Sequence, residues 1–359
     1  MSIFFTPGPS QLYPTIKDNI ALAIKEEIMS ISHRGRKFVQ IFQSLTGNLK
    51  KLLSIPEDYH ILFLSSATEA MERIIQNCVD KTSFHFINGA FSERFFKTAQ
   101  QLKKKTFVEQ VAWGESFTFE DISIPSEVEL VCLTENETST GVSIKMGEIY
   151  QYKRLYPDKL IAVDIVSSAP ITKINFNLVD LVFFSVQKGF GLPAGLAVLI
   201  ISPQALTKAK QLSQKNRNIG SYHNFLSLIE SANKNQTVET PNVFCLFLLD
   251  RVVKDMLKKE IDSIRSEAEK KSELLYNYFD HSIFKPFVKN KKDRSKTVIV
   301  INTNGVSSDR VLEKLQEKNL ILSTGYGKNK EAYVRIANFP THSTREVNLL
   351  IETFKKVRF

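Results

Sequence analysis

The chain has 359 residues, 43% of them hydrophobic and 24% charged, the balance of an ordinary folded protein; disordered and low-complexity classes are excluded. A net charge of +10, from 48 Lys and Arg against 38 Asp and Glu, asks for an anionic partner. No apolar run approaches the length of a membrane span, so no membrane partner is expected.

A single core stops growing before this length, so two domains are expected: 12–242, and 243–359 packed with an N-terminal arm, 1–11. Met1 to Pro9 has no basic segment ahead of an apolar one and does not read as a signal peptide. Cys78, Cys132 and Cys245 are spread among apolar neighbours with no close pair. They read as buried thiols of a reducing compartment, and a cytoplasmic protein without a metal site is expected. Much of the positive charge lies in Lys103-Lys104-Lys105 and in Lys289 to Lys296. Neither run is interleaved with aromatic residues, so a solvated face is expected, with a small anionic substrate the second choice and nucleic acid a distant third; no nucleic-acid partner is expected.

The opening Thr6-Pro7-Gly8-Pro9-Ser10 cannot be regular structure, since two prolines remove donors and fix φ. A helix is predicted over 16–29, then a polar loop, Ser32-His33-Arg34-Gly35-Arg36. Phe38, Ile41, Phe42, Leu45, Leu49, Leu52 and Leu53 then mark one face of an amphipathic helix that stops before Pro56. From residue 60 the chain alternates: strands at 60–64, 84–87, 129–134, 160–165, 181–186 and 196–201, with helical patterns at 92–103 and 146–156. Ser66 and Glu69 stand at capping-box spacing, so a helix is predicted to open at Ser66. This alternation predicts an α/β domain with a mostly parallel sheet. After Thr240-Pro241-Asn242 a long helical region runs to about 280. Strands at 297–302, 320–324 and 333–339, a helix at 308–318 and a final helix opening at Ser343 predict a smaller α/β domain.

In an open α/β sheet, ligands sit beyond the carboxyl ends of the strands. The polar residues there are Ser66-Ala67-Thr68, Asn88 to Phe91, Asn136-Glu137-Thr138, Asp164 with Ser167-Ser168, and Gln187-Lys188. A helix start at Ala67-Thr68 offers free N–H groups to a phosphate. Phe91 can stack on a ring, Asp164 can hold a pyridinium proton, and Lys188 at a buried strand end can form a Schiff base. Each signal alone fits an ordinary structural role. Their order and strand-end placement together fit a phosphorylated aromatic heterocycle with a carbonyl.

Thr-Pro-Gly-Pro at 6–9, Ser-His-Arg at 32–34, Asn-Glu-Thr at 136–138, Val-Asp at 163–164, Gln-Lys-x-x-Gly-x-Pro-Ala-Gly at 187–195, Thr-Pro at 240–241 and Val-Arg-Ile at 334–336 fall in one order. In this the chain resembles the class V aminotransferases, over essentially its whole length, and within them most of all the phosphoserine aminotransferases. The resemblance implies the type I fold of pyridoxal-5'-phosphate-dependent transferases, a large mostly parallel domain and a smaller C-terminal one. It implies Lys188 as the cofactor-linked lysine, Asp164 on the pyridine nitrogen and Phe91 as the stacking ring. Thr138 would lie at the phenolic oxygen, with Ala67, Thr68 and Gln187 on the phosphate. Glu239 and Thr240 would approach the phosphate in the neighbouring subunit, making a homodimer with shared sites. His33 and Arg34 would meet the substrate's acidic side group, and Arg335 its α-carboxylate.

The implied partners are an amino acid and a keto acid, and the implied reaction is phosphoserine with 2-oxoglutarate. Three positions depart from that branch: Ala67-Thr68 replaces Gly-Arg, Glu239 replaces Asn, and its C-terminal His-Arg pair is replaced around Gly325-Tyr326-Gly327-Lys328. Lys328 is expected to supply one positive charge there. Glu137-Thr-Ser-Thr-Gly141 resembles the alanine–glyoxylate and serine–glyoxylate branch, which stays open as an alternative. A desulfurase or lyase of the same fold is the other.

Overall fold

The computed structural model describes residues 2–327 and 330–358. In chain order its elements begin with β1 (Ile3–Phe4), α1 (Ile16–Lys25), α2 (Arg36–Leu53), β2 (His60–Leu64), α3 (Ala67–Cys78), β3 (Thr82–Ile87), α4 (Ala90–Gln101) and β4 (Lys105–Gln110). They continue with β5 (Leu130–Thr134), β6 (Asn136–Glu137), β7 (Val142–Ser143), α5 (Met146–Leu155), β8 (Leu160–Asp164), β9 (Leu181–Ser185), β10 (Ala197–Ile201), α6 (Pro203–Gln214) and α7 (Phe225–Ala232). The remainder is α8 (Val243–Lys259), α9 (Ile261–His281), β11 (Val298–Asn302), α10 (Ser308–Gln316), β12 (Leu320–Ile321), β13 (Ser323–Thr324), β14 (Tyr333–Ala337) and α11 (Thr344–Lys356).

The large sheet has the strand order β2-β10-β9-β8-β5-β3-β4. Six of its strands, β2, β9, β8, β5, β3 and β4, run in one direction, while β10 is antiparallel to both of its neighbours, β9 and β2. Its inner strands are buried at every position because both faces are covered. Leu181 and Phe183 of β9 enter the core under α3, α4, α6 and α7, whereas Val182 and Phe184 enter the core under α1, α2 and α8. That period of two is the strand's own geometry.

The second sheet, β11-β14-β13, is antiparallel and packs with α9, α10 and α11 around Phe279, Ile299, Ile301, Ile336 and Leu350. The arm belongs to this side: β1 pairs in parallel with β12, and Phe5 is buried against the His342 ring at 4.7 Å. Beyond it, Ser10 donates from its backbone to the Gln187 carbonyl at 3.1 Å, which carries the arm to the end of β9.

Three differences from the sequence reading have local causes. The edge strand β4 begins at Lys105, inside the charge run; its outward positions need no apolar side chain. The long helical region past 243 is two helices, because Glu260 adopts φ 65, a left-handed conformation that stops α8. The helix at 16 ends at Lys25, and a separate 3₁₀ turn, Ile28–Ser30, follows a left-handed Glu27. Of the second basic run, Arg294 is structural: it makes two bonds to Asp280, at 2.9 and 2.8 Å.

Candidate active site

β5, β8 and β9 end at Thr134, Asp164 and Ser185 on one edge of the large sheet. Because β10 places Ala197 opposite both Leu64 and Ser185, the end of β2 and the start of α3 lie at that same edge. A cavity of about 240 Å³ opens there. Of the residues expected from the sequence, Ala67, Thr68, Phe91, Thr138, Asp164, Gln187, Lys188 and Arg335 line it together.

Lys188 is buried, and its Nζ donates to Thr138 Oγ1 at 3.0 Å. The same Nζ lies 5.3 Å from the centre of the Phe91 ring. Gly8 of the arm closes over this side chain. It has φ 146, and a Cβ there would stand 2.8 Å from Lys188 Cε, so only glycine lets the arm pass. Asp164, equally buried, accepts from the Val166 N–H at 2.8 Å. Burial raises the Asp164 carboxyl well above its ordinary range, against the pull of the Val166 N–H and the Lys188 charge. Burial likewise lowers Lys188, with Asp164 opposing and Arg335 adding to the shift. Each member of the pair is thus brought towards neutrality, the condition in which an amine is nucleophilic.

Phe91 is placed by the start of α4. The buried Glu137 carboxylate accepts from the backbone N–H groups of Phe91 and Ser92, at 3.1 and 2.9 Å, and from the hydroxyls of Ser92 and Ser139. An anion on these free N–H groups caps the helix. Gly89 permits the approach, since a Cβ there would lie 2.4 Å from Glu137 Cγ. At α3, Ser66 Oγ accepts from the Glu69 N–H at 3.1 Å, as its spacing predicts. The reciprocal bond is displaced by one residue: Glu69 Oε2 accepts from the Ser65 N–H and hydroxyl, at 2.8 and 2.6 Å. Across the cavity, Arg335 donates from Nε to the Thr324 carbonyl at 2.9 Å and lies 5.3 Å from the Tyr326 ring centre.

The other expected site residues stand away from this cavity within one chain. His33 packs edge-on to Phe38, with ring centres 6.5 Å apart. Arg34 donates to Gln236 Oε1 at 2.8 Å and to the carbonyls of Thr237 and Val238 at 2.9 and 3.2 Å. Glu239 is paired with His223 Nε2 at 2.9 Å, so its charge is compensated inside the chain. Thr240 is exposed, and Lys328 lies outside the described residues.

Arg94, Tyr326, Thr134, Ser185, Pro7 and Gly8 also line the cavity. Arg94 stands three residues after Phe91, on the same helical face, a signal the sequence does carry. Thr134 and Ser185 end strands just as Asp164 does. The sequence marks the region of Tyr326 only as the site of the replaced His-Arg pair and gives its ring no role; it reaches Phe91 because the small sheet packs over the large one, and the two rings are 5.4 Å apart.

The aminotransferase class-V profile matches residues 3–338. A phosphoserine aminotransferase from Cytophaga hutchinsonii superposes with a TM-score of 0.98 at 45% identity, covering 99% of both chains. The phosphoserine aminotransferase of Rhodococcus opacus is 27% identical over 97% of this chain and 93% of its own. An alanine–glyoxylate aminotransferase from Nostoc shares the fold, with a TM-score of 0.82 at 20% identity over 99% of this chain and 94% of its own. The chain belongs to the class V aminotransferases, on the type I fold of pyridoxal-phosphate enzymes.

The residues present fit pyridoxal phosphate. The cavity offers an aromatic face, a lysine beside it, a carboxyl brought towards its protonated form, and the start of α3, where the Ala67 N–H rests on the Ser185 hydroxyl at 3.1 Å. The buried Thr134 hydroxyl lines it with no hydrogen-bond partner among the described residues, a polar atom left for a ligand.

Proposed function

We propose that this chain transfers the amino group of phosphoserine to 2-oxoglutarate, giving phosphohydroxypyruvate and glutamate. The observation that carries the reading is one cavity holding the buried Lys188–Asp164 pair together with two guanidinium groups, Arg335 and Arg94. Among the described residues Arg94 has no carboxylate partner; it rests 5.9 Å from the centre of the Phe91 ring. Two guanidinium groups suit a substrate with an anion at each end. The names of the 45% and 27% identical relatives support the same choice of substrate.

When bound, pyridoxal phosphate supplies an electron sink for the electrons left at the substrate's α-carbon. Asp164 would hold a proton at the ring nitrogen, and Phe91 would supply the aromatic face on which the ring stacks. Ala67, Thr68 and Gln187 hold the phosphate, with Thr138 at the phenolic oxygen. Arg335 orients the α-carboxylate. Lys188 Nζ, freed from its bond to Thr138, takes the α-proton and moves it on within the cavity, as a general base and then a general acid.

In this reading the enzyme works as a cytoplasmic homodimer. His33, Arg34 and Thr240 serve the neighbouring subunit's site, because within one chain all three stand away from the cavity, and Lys328 adds one positive charge for the substrate's distal anion. Residues 12–242 form the cofactor-binding unit, and 243–359 with the arm 1–11 form the cover.

Half-reactions followed in the visible spectrum test the proposal. Phosphoserine and glutamate each bleach the cofactor band, and alanine does so far more slowly. Fast conversion by alanine without any by phosphoserine would overturn the substrate assignment in favour of the glyoxylate branch.

A further inference from the structure

Outside the cavity, one imidazole joins three separate parts of the chain. His223, in the loop before α7, meets Glu69 Oε1 of α3 through Nδ1 and Glu239 Oε2 through Nε2, the latter at 2.9 Å. Its side chain is only 12% exposed, so water does not substitute for these partners. Glu69 belongs to the first turn of α3, where its other oxygen already holds Ser65. Glu239 immediately precedes Thr240, and the segment before it is held from the far side by Arg34. Thr237 Oγ1 donates to the Glu239 carbonyl at 2.7 Å, which stiffens the turn between the two clasps.

We propose that His223 is a positioning residue for phosphate: as an imidazolium between Glu69 and Glu239, it holds the 237–240 segment against α3 and offsets one of the two carboxylate charges beside the phosphate turn. This rests on the reading of that turn as the cofactor's phosphate site. The two carboxylates, left unpaired, would oppose an anion at the start of α3. Paired, they leave the helix N-terminus attractive to it.

The groups that face His223 support the charge assignment. They are Glu69 from α3, Glu239 from its own segment, and the Tyr222 ring at 4.3 Å. Arg73, also on α3, lies over Gly220 of the same loop. The bonds to Glu239 and Glu69 raise His223 from 6.5 to about 9, outweighing burial. Burial would raise Glu69, but its bonds from His223 and Ser65 bring it down to about 2. A raised imidazolium contributes fully below its ordinary range, and its contribution disappears as pH rises through about 9.

The test is the affinity of the apoenzyme for pyridoxal phosphate, and for pyridoxal, which lacks the phosphate. Wild type, His223→Gln, Glu239→Gln and the double variant are compared at neutral pH and above pH 9. At neutral pH His223→Gln weakens pyridoxal phosphate by roughly tenfold or more, the size of a lost charged hydrogen bond, and leaves pyridoxal unchanged. The gap between wild type and His223→Gln closes at high pH, and adding Glu239→Gln restores most of the loss. Equal affinity of His223→Gln and wild type for pyridoxal phosphate, an equal loss of both ligands, or a double variant no better than the single one would overturn the proposal. A wild-type chain that takes up no pyridoxal phosphate would instead overturn the cofactor site itself.

Discussion

The floor and the rim of the cavity are held by different forces. On the floor, Thr134, Asp164 and Ser185 are the last residues of neighbouring strands, and Lys188 follows three residues after the last. Their places are fixed by a ladder in which Thr134 stands opposite Asp164 and Asp164 opposite Phe183, with apolar cores on both faces. At the rim, residues 236–240 are tied by two polar side chains, Arg34 and His223. A position held by a sheet survives the loss of any one side chain. A position held by two side chains does not. Substitutions on the floor should therefore change chemistry without moving anything, and substitutions at the rim should act by moving something.

The largest effect is expected at the floor. Lys188→Ala removes the base, and kcat falls by on the order of 10³-fold or more. The visible band that borohydride bleaches in wild type is lost with it, while far-ultraviolet circular dichroism is unchanged. A variant that kept the band would show that the lysine is not the cofactor's partner. Asp164→Asn follows, with a loss of about 10²-fold or more in kcat, since the ring nitrogen no longer has a carboxyl to hold its proton. Its content of bound cofactor stays near that of wild type, because the phosphate contacts are intact. Loss of cofactor in step with activity would make Asp164 a structural residue.

The walls give the next two outcomes, separable by substrate. Arg335→Ala lowers kcat/KM for every amino donor, by about tenfold to a hundredfold, as expected for one charged hydrogen-bonding partner. Arg94→Gln lowers it by a similar factor for phosphoserine and spares alanine. If alanine suffers equally, Arg94 supports Phe91 and not the substrate.

How much of this the sequence carries follows the same division. The inner strands were legible because alternate residues face two cores: Leu181 and Phe183 one way, Val182 and Phe184 the other. So were both N-caps, since Ser66 and Ser343 each accept from the N–H three residues on. The floor residues follow from strand ends, which is why Asp164 and Lys188 could be singled out from local pattern. β4 was hidden, because an edge strand that begins at Lys105 has no apolar stripe on its open side. The antiparallel turn of β10 was hidden as well, since its apolar run, Ala197–Ile201, reads the same in either direction. The rim was least legible. His223 meets Glu69 across 154 positions, and Arg34 meets Gln236 across 202. Only the folded chain brings such pairs together. Glu239 is the instructive case: as a bare residue it reads as an anion opposing phosphate, and its partner is what changes its meaning.

The smallest expected effect sharpens the comparison most, because it asks whether the rim is scaffold or ligand. Arg34 uses one guanidinium nitrogen for both Gln236 and Thr237 and the other for Val238. Lysine keeps the charge and loses the fork, so it can hold one of these acceptors but not all three. If Arg34 acts chiefly by holding the segment, Arg34→Lys weakens cofactor retention a few-fold, roughly 1 kcal/mol, and slows all donors alike. If its free edge also meets a distal anion, the loss appears in KM for phosphoserine alone, since the point charge remains but the paired donors do not. The three bonds to the segment favour the first outcome. A loss confined to phosphoserine, with cofactor retention unchanged, would move Arg34 from the scaffold to the substrate and leave His223 as the segment's main tie.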